Sequence, residues 1–157
     1  DITIAAGAGA NIAFACDLVI AARSAKFIQA FCKIGLIPDS GGTWTVTHLV
    51  GEARAKALML TGCPISAEQA ANWGLIWQVF DDQDLAMEAK KLTRYFVTAP
   101  TASIAMTKKA IHAALTNNLD QQLDLERDLQ REAGRSGDYA EGVAAFLEKR
   151  APQFKGN

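Results

Sequence analysis

The chain has 157 residues, half of them apolar, and its 16 Lys and Arg nearly balance 17 Asp and Glu. A chain of this length buries enough of its own surface to need neither disulfides nor a structural metal, which excludes disorder and small disulfide scaffolds. A net charge of −1, with basic residues scattered among carboxylates, makes no long-range field for a polyanion and argues against nucleic acid as a partner.

Cys16, Cys32 and Cys63 form no CxxC pair and have no His cluster beside them; they read as reduced thiols of a cytoplasmic protein, and no metal site is expected. The uncharged stretch from Ile2 to Cys16 is shorter than the ~20 residues of a membrane helix and is interrupted by Gly7, Gly9 and Asn11. It also lacks the basic flank of a signal peptide, so no membrane partner is expected. The sequence opens on Asp1 rather than Met, which raises the expectation of a longer parent protein.

Two compositions meet near residue 82. Ala, Gly, Ile and Val with few charges fill Ile2 to Phe80, whereas charges recur at helical spacing from Asp81 onward, dividing the chain into 1–82 and 83–157. In chain order, Gly7-Ala8-Gly9-Ala10 reads as a turn feeding a short apolar helix from Asn11 to Cys16. Asp17 to Ala22 reads as a strand covered on both faces. A short strand over Lys26–Ile28 and one helical turn over Ala30–Ile34 follow. Gly35 to Gly42 can only be a loop, because Pro38 holds Ile37 extended and the glycines delay any helix until Thr43. Helices over Thr43–Val50 and Glu52–Leu60 are separated by Gly51. Ser66 and Gln69 form a capping-box pattern for a helix to Trp73, Gly74 stops it, and Ile76–Phe80 is a strand. Helices are then predicted over Gln83–Thr98, Thr101–Thr116, Leu119–Ala133 and Tyr139–Arg150. Leu119 with Leu123, and Leu125 with Leu129, give the third of these a stripe to bury.

Two places invite chemistry. The Gly7 turn is a weak match to a dinucleotide fingerprint, since Ile12 stands where its third glycine belongs. A Gly-rich turn at a helix start nevertheless aims free N–H groups outward, where they can hold a carbonyl oxygen that becomes an oxyanion. The alternative is that these glycines only let a helix pack tightly on a strand. Asp39 lies between Ile37-Pro38 and two glycines, where partial burial would raise its pKa toward a useful acid/base range. Its alternative role is an N-cap. His48 and His112 read as ordinary packing or surface residues, and Trp44, Trp73 and Trp77 as core. No GxSxG elbow or Cys/His signature of nucleophilic catalysis is present.

Ala6-Gly7-Ala8-Gly9-Ala10-Asn11, Ala15-Cys16-Asp17, Phe27, Gln29, Gly35-Leu36-Ile37-Pro38-Asp39-Ser40-Gly41-Gly42-Thr43 and Phe146-Leu147-Glu148-Lys149-Arg150 together resemble, in order and spacing, the crotonase (enoyl-CoA hydratase/isomerase) superfamily. The resemblance covers the whole chain and corresponds to the family's C-terminal portion. It implies an α/β fold, the crotonase-like (ClpP/crotonase) ββα spiral, with its later part over 1–82 and a helical oligomerisation subdomain over 83–157.

The resemblance further implies an acyl-CoA thioester as substrate, no cofactor beyond the coenzyme A within that substrate, and homotrimers or dimers of trimers. The backbone N–H of Ala8, flanked by Gly7 and Gly9, falls on the second oxyanion donor. The two hydratase glutamates would fall at Asn11 and Phe31, neither of which can transfer a proton. Isomerase-like members carry one acid where Asp39 stands. The expected activity is therefore isomerisation of the 2,3-enoyl-CoA or 1,2-epoxyphenylacetyl-CoA type. Phe31, Trp44 and Phe146 hint at an aromatic acyl group, and Phe146 and Lys149 match positions near the CoA adenine and phosphate. Three other readings stand beside this one: a non-catalytic oligomerising remnant of the fold, a hydratase-like enzyme, and a dehalogenase-like use of Asp39 as nucleophile.

Overall fold

The computed structural model describes residues 4–157; Asp1, Ile2 and Thr3 lie outside the described residues. The chain forms two compact units, the first running to Ala89 and the second from Lys90 to Asn157.

The first unit opens with β1 (Ile4–Ala6), α1 (Ala8–Phe14), β2 (Ile20–Ala22) and β3 (Lys26–Ile28), followed by a 3-10 turn at Ala30–Ile34. It continues with α2 (Gly42–Thr61), β4 (Ile65–Ser66), α3 (Ala67–Asn72) and β5 (Gln78–Phe80). β3 is the middle strand of a three-stranded sheet, parallel to β1 and antiparallel to β4, so that Phe27 stands opposite both Ala5 and Ile65. β2 and β5 pair in parallel as a second sheet, with Ala21 opposite Val79. Ala10 and Phe14, one turn apart on α1, are both buried, and the Phe14 ring meets Phe27 at a centroid distance of 5.1 Å. Val46, Val50, Ala55 and Leu58 of α2 extend the same core to Ile65, Leu75 and Ile76.

Local signals explain most of these boundaries. Gly51, at φ 78° and ψ 165°, breaks α2 where the sequence placed a stop, and Gly62 at φ 59° ends it. The Ser66 side chain accepts from Gln69 N at 3.1 Å and caps α3 as expected. The strand expected over Asp17–Ala22 is shorter: Asp17 and Leu18 are exposed bends, and only Ala21 of β2 is buried, because β2 has a single neighbour. β1 and β4, of three and two residues, are too short to show a period-2 signature. Of the tryptophans expected in the core, Trp73 is half-buried and packs against the core cluster, with the Arg54 guanidinium 5.2 Å from its ring, whereas Trp44 and Trp77 are exposed.

α4 (Leu85–Val97) leads into α5 (Thr101–Ala114), α6 (Leu119–Ala133) and α7 (Gly137–Glu148). The α6 start is fixed by a complete capping box, with Asn118 Oδ1 accepting from Gln121 N at 2.9 Å and Gln121 Oε1 from Asn118 N at 3.0 Å. α7 begins two residues before the expected Tyr139, because Ser136 caps it by accepting from Tyr139 N at 3.0 Å and Gly137 is absorbed into the first turn. The leucine stripe is only half covered: Leu129 is buried and Leu125 half-buried, but Leu119 is 72% exposed and Leu123 is exposed too. Carboxylates hold the chain end. Asp138 accepts from Lys155 N at 2.7 Å and Gly156 N at 2.9 Å, and its own N–H donates to Asn157 O at 3.1 Å. Among the described residues no helix is long and apolar enough to cross a membrane.

Candidate active site

The turn between β1 and α1 is built on one glycine. Gly7 adopts φ 55° and ψ −131°, a conformation closed to other residues, while its N–H donates to Ile28 O at 2.9 Å and pins the turn to β3. The first intrahelical bond runs from Asn11 N to Gly7 O at 3.1 Å, so the N–H of Ala8 lies ahead of the helical ladder. It has no acceptor among the described residues. A Cβ on Gly9 would meet nothing within 4 Å, so tight helix-on-strand packing does not explain that glycine. Beneath the turn lies Phe31, buried, with its Cζ 3.6 Å from where a Gly7 Cβ would stand. Its ring supports the turn's backbone.

Asp39 stands in the loop before α2. Partial burial was expected there; the structure leaves Asp39 exposed, because its apolar neighbours Leu36 and Ile37 are themselves exposed rather than folded over it. Nor does its side chain cap α2, whose N-cap is Gly41 without any side-chain bond. One carboxylate oxygen instead accepts from Ser40 Oγ at 3.1 Å. Ser40 and Gly41 take successive left-handed conformations, φ 49° and 74°, and swing the chain into the helix. The Asp39 carbonyl accepts from Gly42 N at 2.8 Å and from Asn11 Nδ2 at 3.0 Å. The loop is thereby tied to the helix that carries Ala8.

Asn11 is 0% exposed, and its Oδ1 accepts from Gln29 Nε2 at 2.8 Å. No spacing rule pairs residues 18 apart across a strand and a turn, so the sequence carries no local signal for this contact. Trp44, in the first turn of α2, is exposed and stacks on His48 at 4.1 Å, whose Nδ1 lies 2.8 Å from Trp44 O. The structure therefore gathers Gly7, Ala8, Asn11, Phe31 and Asp39 around one turn. Phe146 and Lys149 belong to the second unit. Phe146, 82% exposed, borders an apolar groove of about 460 Å³ that Pro100, Val143, Leu147 and Phe154 also line, and Lys149 ends α7 at φ 54°. The three cysteines are free and exposed, and among the described residues no cluster of His, Cys, Asp or Glu is placed to hold a metal ion.

The first unit's short βα elements and Gly-rich turn, followed by a helical unit, define a crotonase-type α/β protein. The family model described as enoyl-CoA hydratase/isomerase matches residues 3–157, and the chain belongs to that family. It is 60% identical over 153 residues to the 1,2-epoxyphenylacetyl-CoA isomerase of Escherichia coli K12, covering 98% of this chain and 58% of the relative. It is 52% identical over 152 residues to a Rhodobacter capsulatus protein named probable enoyl-CoA hydratase, covering 97% of this chain and 59% of that one. Among solved structures, an enoyl-CoA hydratase from Polaromonas sp. JS666 superposes with a TM-score of 0.92 at 37% identity, over 97% of this chain and 59% of the other. The chain thus spans less than two thirds of the length of the relatives it matches.

Proposed function

We propose that the protein is an acyl-CoA isomerase in which Asp39 moves a proton within the substrate and the Ala8 N–H stabilises the charge formed on the thioester oxygen. With a 3-enoyl-CoA, the Asp39 carboxylate takes a proton from C2. The electron pair passes through C1 to the thioester oxygen, giving a dienolate. Return of the proton at C4 leaves the double bond between C2 and C3. An N–H aimed at that oxygen matters because charge develops there only in the transition state, and losing such a donor typically costs about 2.7–4 kcal/mol. Coenzyme A enters as part of the substrate, and no other cofactor takes part.

The observation that carries this reading is the state of Asn11. In the position where the resemblance puts one hydratase glutamate stands a buried amide with Oδ1 accepting from Gln29 and Nδ2 donating to the Asp39 carbonyl. Phe31, in the other position, is buried against the turn. One carboxylate, Asp39, is left to do chemistry that needs only one. The relative named 1,2-epoxyphenylacetyl-CoA isomerase supports a second substrate class, a ring epoxide that rearranges to an oxepin beside the same carboxylate. Exposed Leu119, Leu123, Phe146 and Leu147 support assembly of the helical unit into trimers or dimers of trimers.

The test is isomerisation of a 3-enoyl-CoA by the parent and by Asp39→Asn, with hydration of a 2-enoyl-CoA as control. The variant is expected to lose about 10²–10⁴-fold in kcat, the usual worth of a positioned acid or base. Hydration by the parent, activity retained in Asp39→Asn, or a folded protein without isomerase activity overturns the reading. The last result, from a trimer in solution, favours the non-catalytic oligomerising remnant.

A further inference from the structure

Two buried amides stand between the Gly7 turn and the Asp39 loop, and the proton transfer described above uses neither. Gln29, 3% exposed just after β3, donates through Nε2 to Asn11 Oδ1 at 2.8 Å, and Asn11 donates through Nδ2 to the Asp39 carbonyl at 3.0 Å. The order is directional. A main-chain carbonyl only accepts, so Asn11 must turn Nδ2 toward Asp39, which leaves Oδ1 facing inward and in need of a donor. Gln29 supplies that donor. A flipped Asn11 would set two oxygens face to face.

We propose that Gln29 and Asn11 are positioning residues: their relay holds the loop bearing Asp39 at a fixed place relative to the Ala8 N–H, which rests on the isomerase reading of those two groups. Asn11 lies in the helical turn that Ala8 begins, so acid/base and oxyanion donor hang from one short helix. The loop needs such a tie. Ser40 and Gly41 are both left-handed, and among the described residues the Asp39 carbonyl has two partners, Gly42 N at 2.8 Å and Asn11 Nδ2 at 3.0 Å. Gly42 also makes room for the relay, since a Cβ there would lie 2.2 Å from Asn11 Nδ2.

Core stability alone does not account for these amides. Gln29 Oε1 is buried without a hydrogen-bond partner among the described residues, an arrangement that a pair of apolar side chains of similar volume would avoid. Keeping Nε2 aimed at Asn11 is what the orphaned oxygen accompanies. A misplacement of about 1 Å at a reacting group can cost about 10²-fold in rate, so a loop tied at its carbonyl has a catalytic consequence even though both amides are buried.

A double-mutant cycle on isomerisation is the first arm of the test. Gln29→Met is expected to lower kcat about tenfold or more with KM within about twofold, because proton transfer rather than thioester binding is displaced. Asn11→Leu lowers kcat at least as far, and the double variant is no worse than Asn11→Leu, since Gln29 acts through Asn11. Additive losses, or a Gln29→Met kcat within about twofold of the parent, overturn the relay. The second arm is hydrogen exchange of the backbone over residues 35–42, which speeds up in Gln29→Met while exchange in β3 and α3 is unchanged. Asn11→Asp, with the same shape but no Nδ2 donor, speeds the same segment from the other end. A parent without isomerase activity sinks the proposed function and leaves exchange to decide the relay. An active parent whose 35–42 exchange is unchanged in both variants sinks the relay alone.

Discussion

The two units of this chain solve the problem of holding together in different ways. The first has a contiguous apolar core, from Ala10 and Phe14 through Phe27, Val46 and Leu58 to Ile76, and can keep two amide side chains inside it. The second buries few apolar side chains, Ala99, Leu129 and Ala145, and leaves Leu119, Phe146 and Leu147 exposed. Its order comes from caps at Asn118 and Ser136, from carboxylates gripping the chain end, and from surface pairs such as Arg127 with Asp124 at 2.7 Å. Exposed pairs of that kind contribute only about 0–1 kcal/mol each. The proposed chemistry falls in the unit with the contiguous core, and the large exposed apolar side chains that support the proposed assembly, Leu119, Phe146 and Leu147, lie in the other.

The largest expected effect follows from that contrast. Phe27→Ala empties the middle strand opposite Ala5 and Ile65 and removes the partner of Phe14, and should destabilise the first unit by about 3–5 kcal/mol in urea unfolding. Leu129→Ala in the second unit should cost less, because that unit buries few apolar side chains. Equal losses would break the comparison.

The next effect is steric and runs against helix propensity. Gly42 opens α2, where Ala in place of Gly ordinarily helps by up to about 1 kcal/mol. Here the added Cβ would fall 2.2 Å from Asn11 Nδ2, so Gly42→Ala is expected to destabilise by about 1–3 kcal/mol. Gly9→Ala, whose Cβ meets nothing within 4 Å, serves as the matched control and should be neutral or stabilising. Thermal melting of the two variants reads the difference, and a stabilised Gly42→Ala would mean that Asn11 moves aside freely.

Sequence made legible what is decided locally. Gly51 breaks α2 and Ser66 caps α3 because a positive φ or a cap is a property of a few adjacent residues. The Gly7 turn and the Asp39 loop were recognisable for the same reason. The burial of Asp39 was not, since it depends on what folds over the loop, and Leu36 and Ile37 do not. Likewise the leucine period of α6 was plain, yet whether Leu119 is covered is decided by a partner surface rather than by spacing. The Asn11–Gln29 pair was invisible because a hydrogen bond between α1 and the residue that follows β3 exists only once both are packed.

The smallest predicted effect tests the second unit's dependence on charge. Glu141 accepts from Arg150 Nη1 at 2.6 Å and Nη2 at 3.0 Å, and from Gln153 N at 2.8 Å. The Arg150 hydrogen bonds first, and that backbone N–H second, pull its carboxyl from 4.5 to about 2, with Lys155 adding a weaker attraction and Glu148 sharing Arg150. A carboxyl whose pKa is lower when folded binds fewer protons in the native state, so its contribution is fully present above 4.5 and is lost as pH falls toward about 2. Glu141→Gln should therefore be less stable than the parent at neutral pH and should lose less stability across that acid window, so the two melting curves converge as pH drops. Parallel curves would show that the guanidinium clamp does not hold the chain end and that the second unit draws its order from caps and apolar contacts instead.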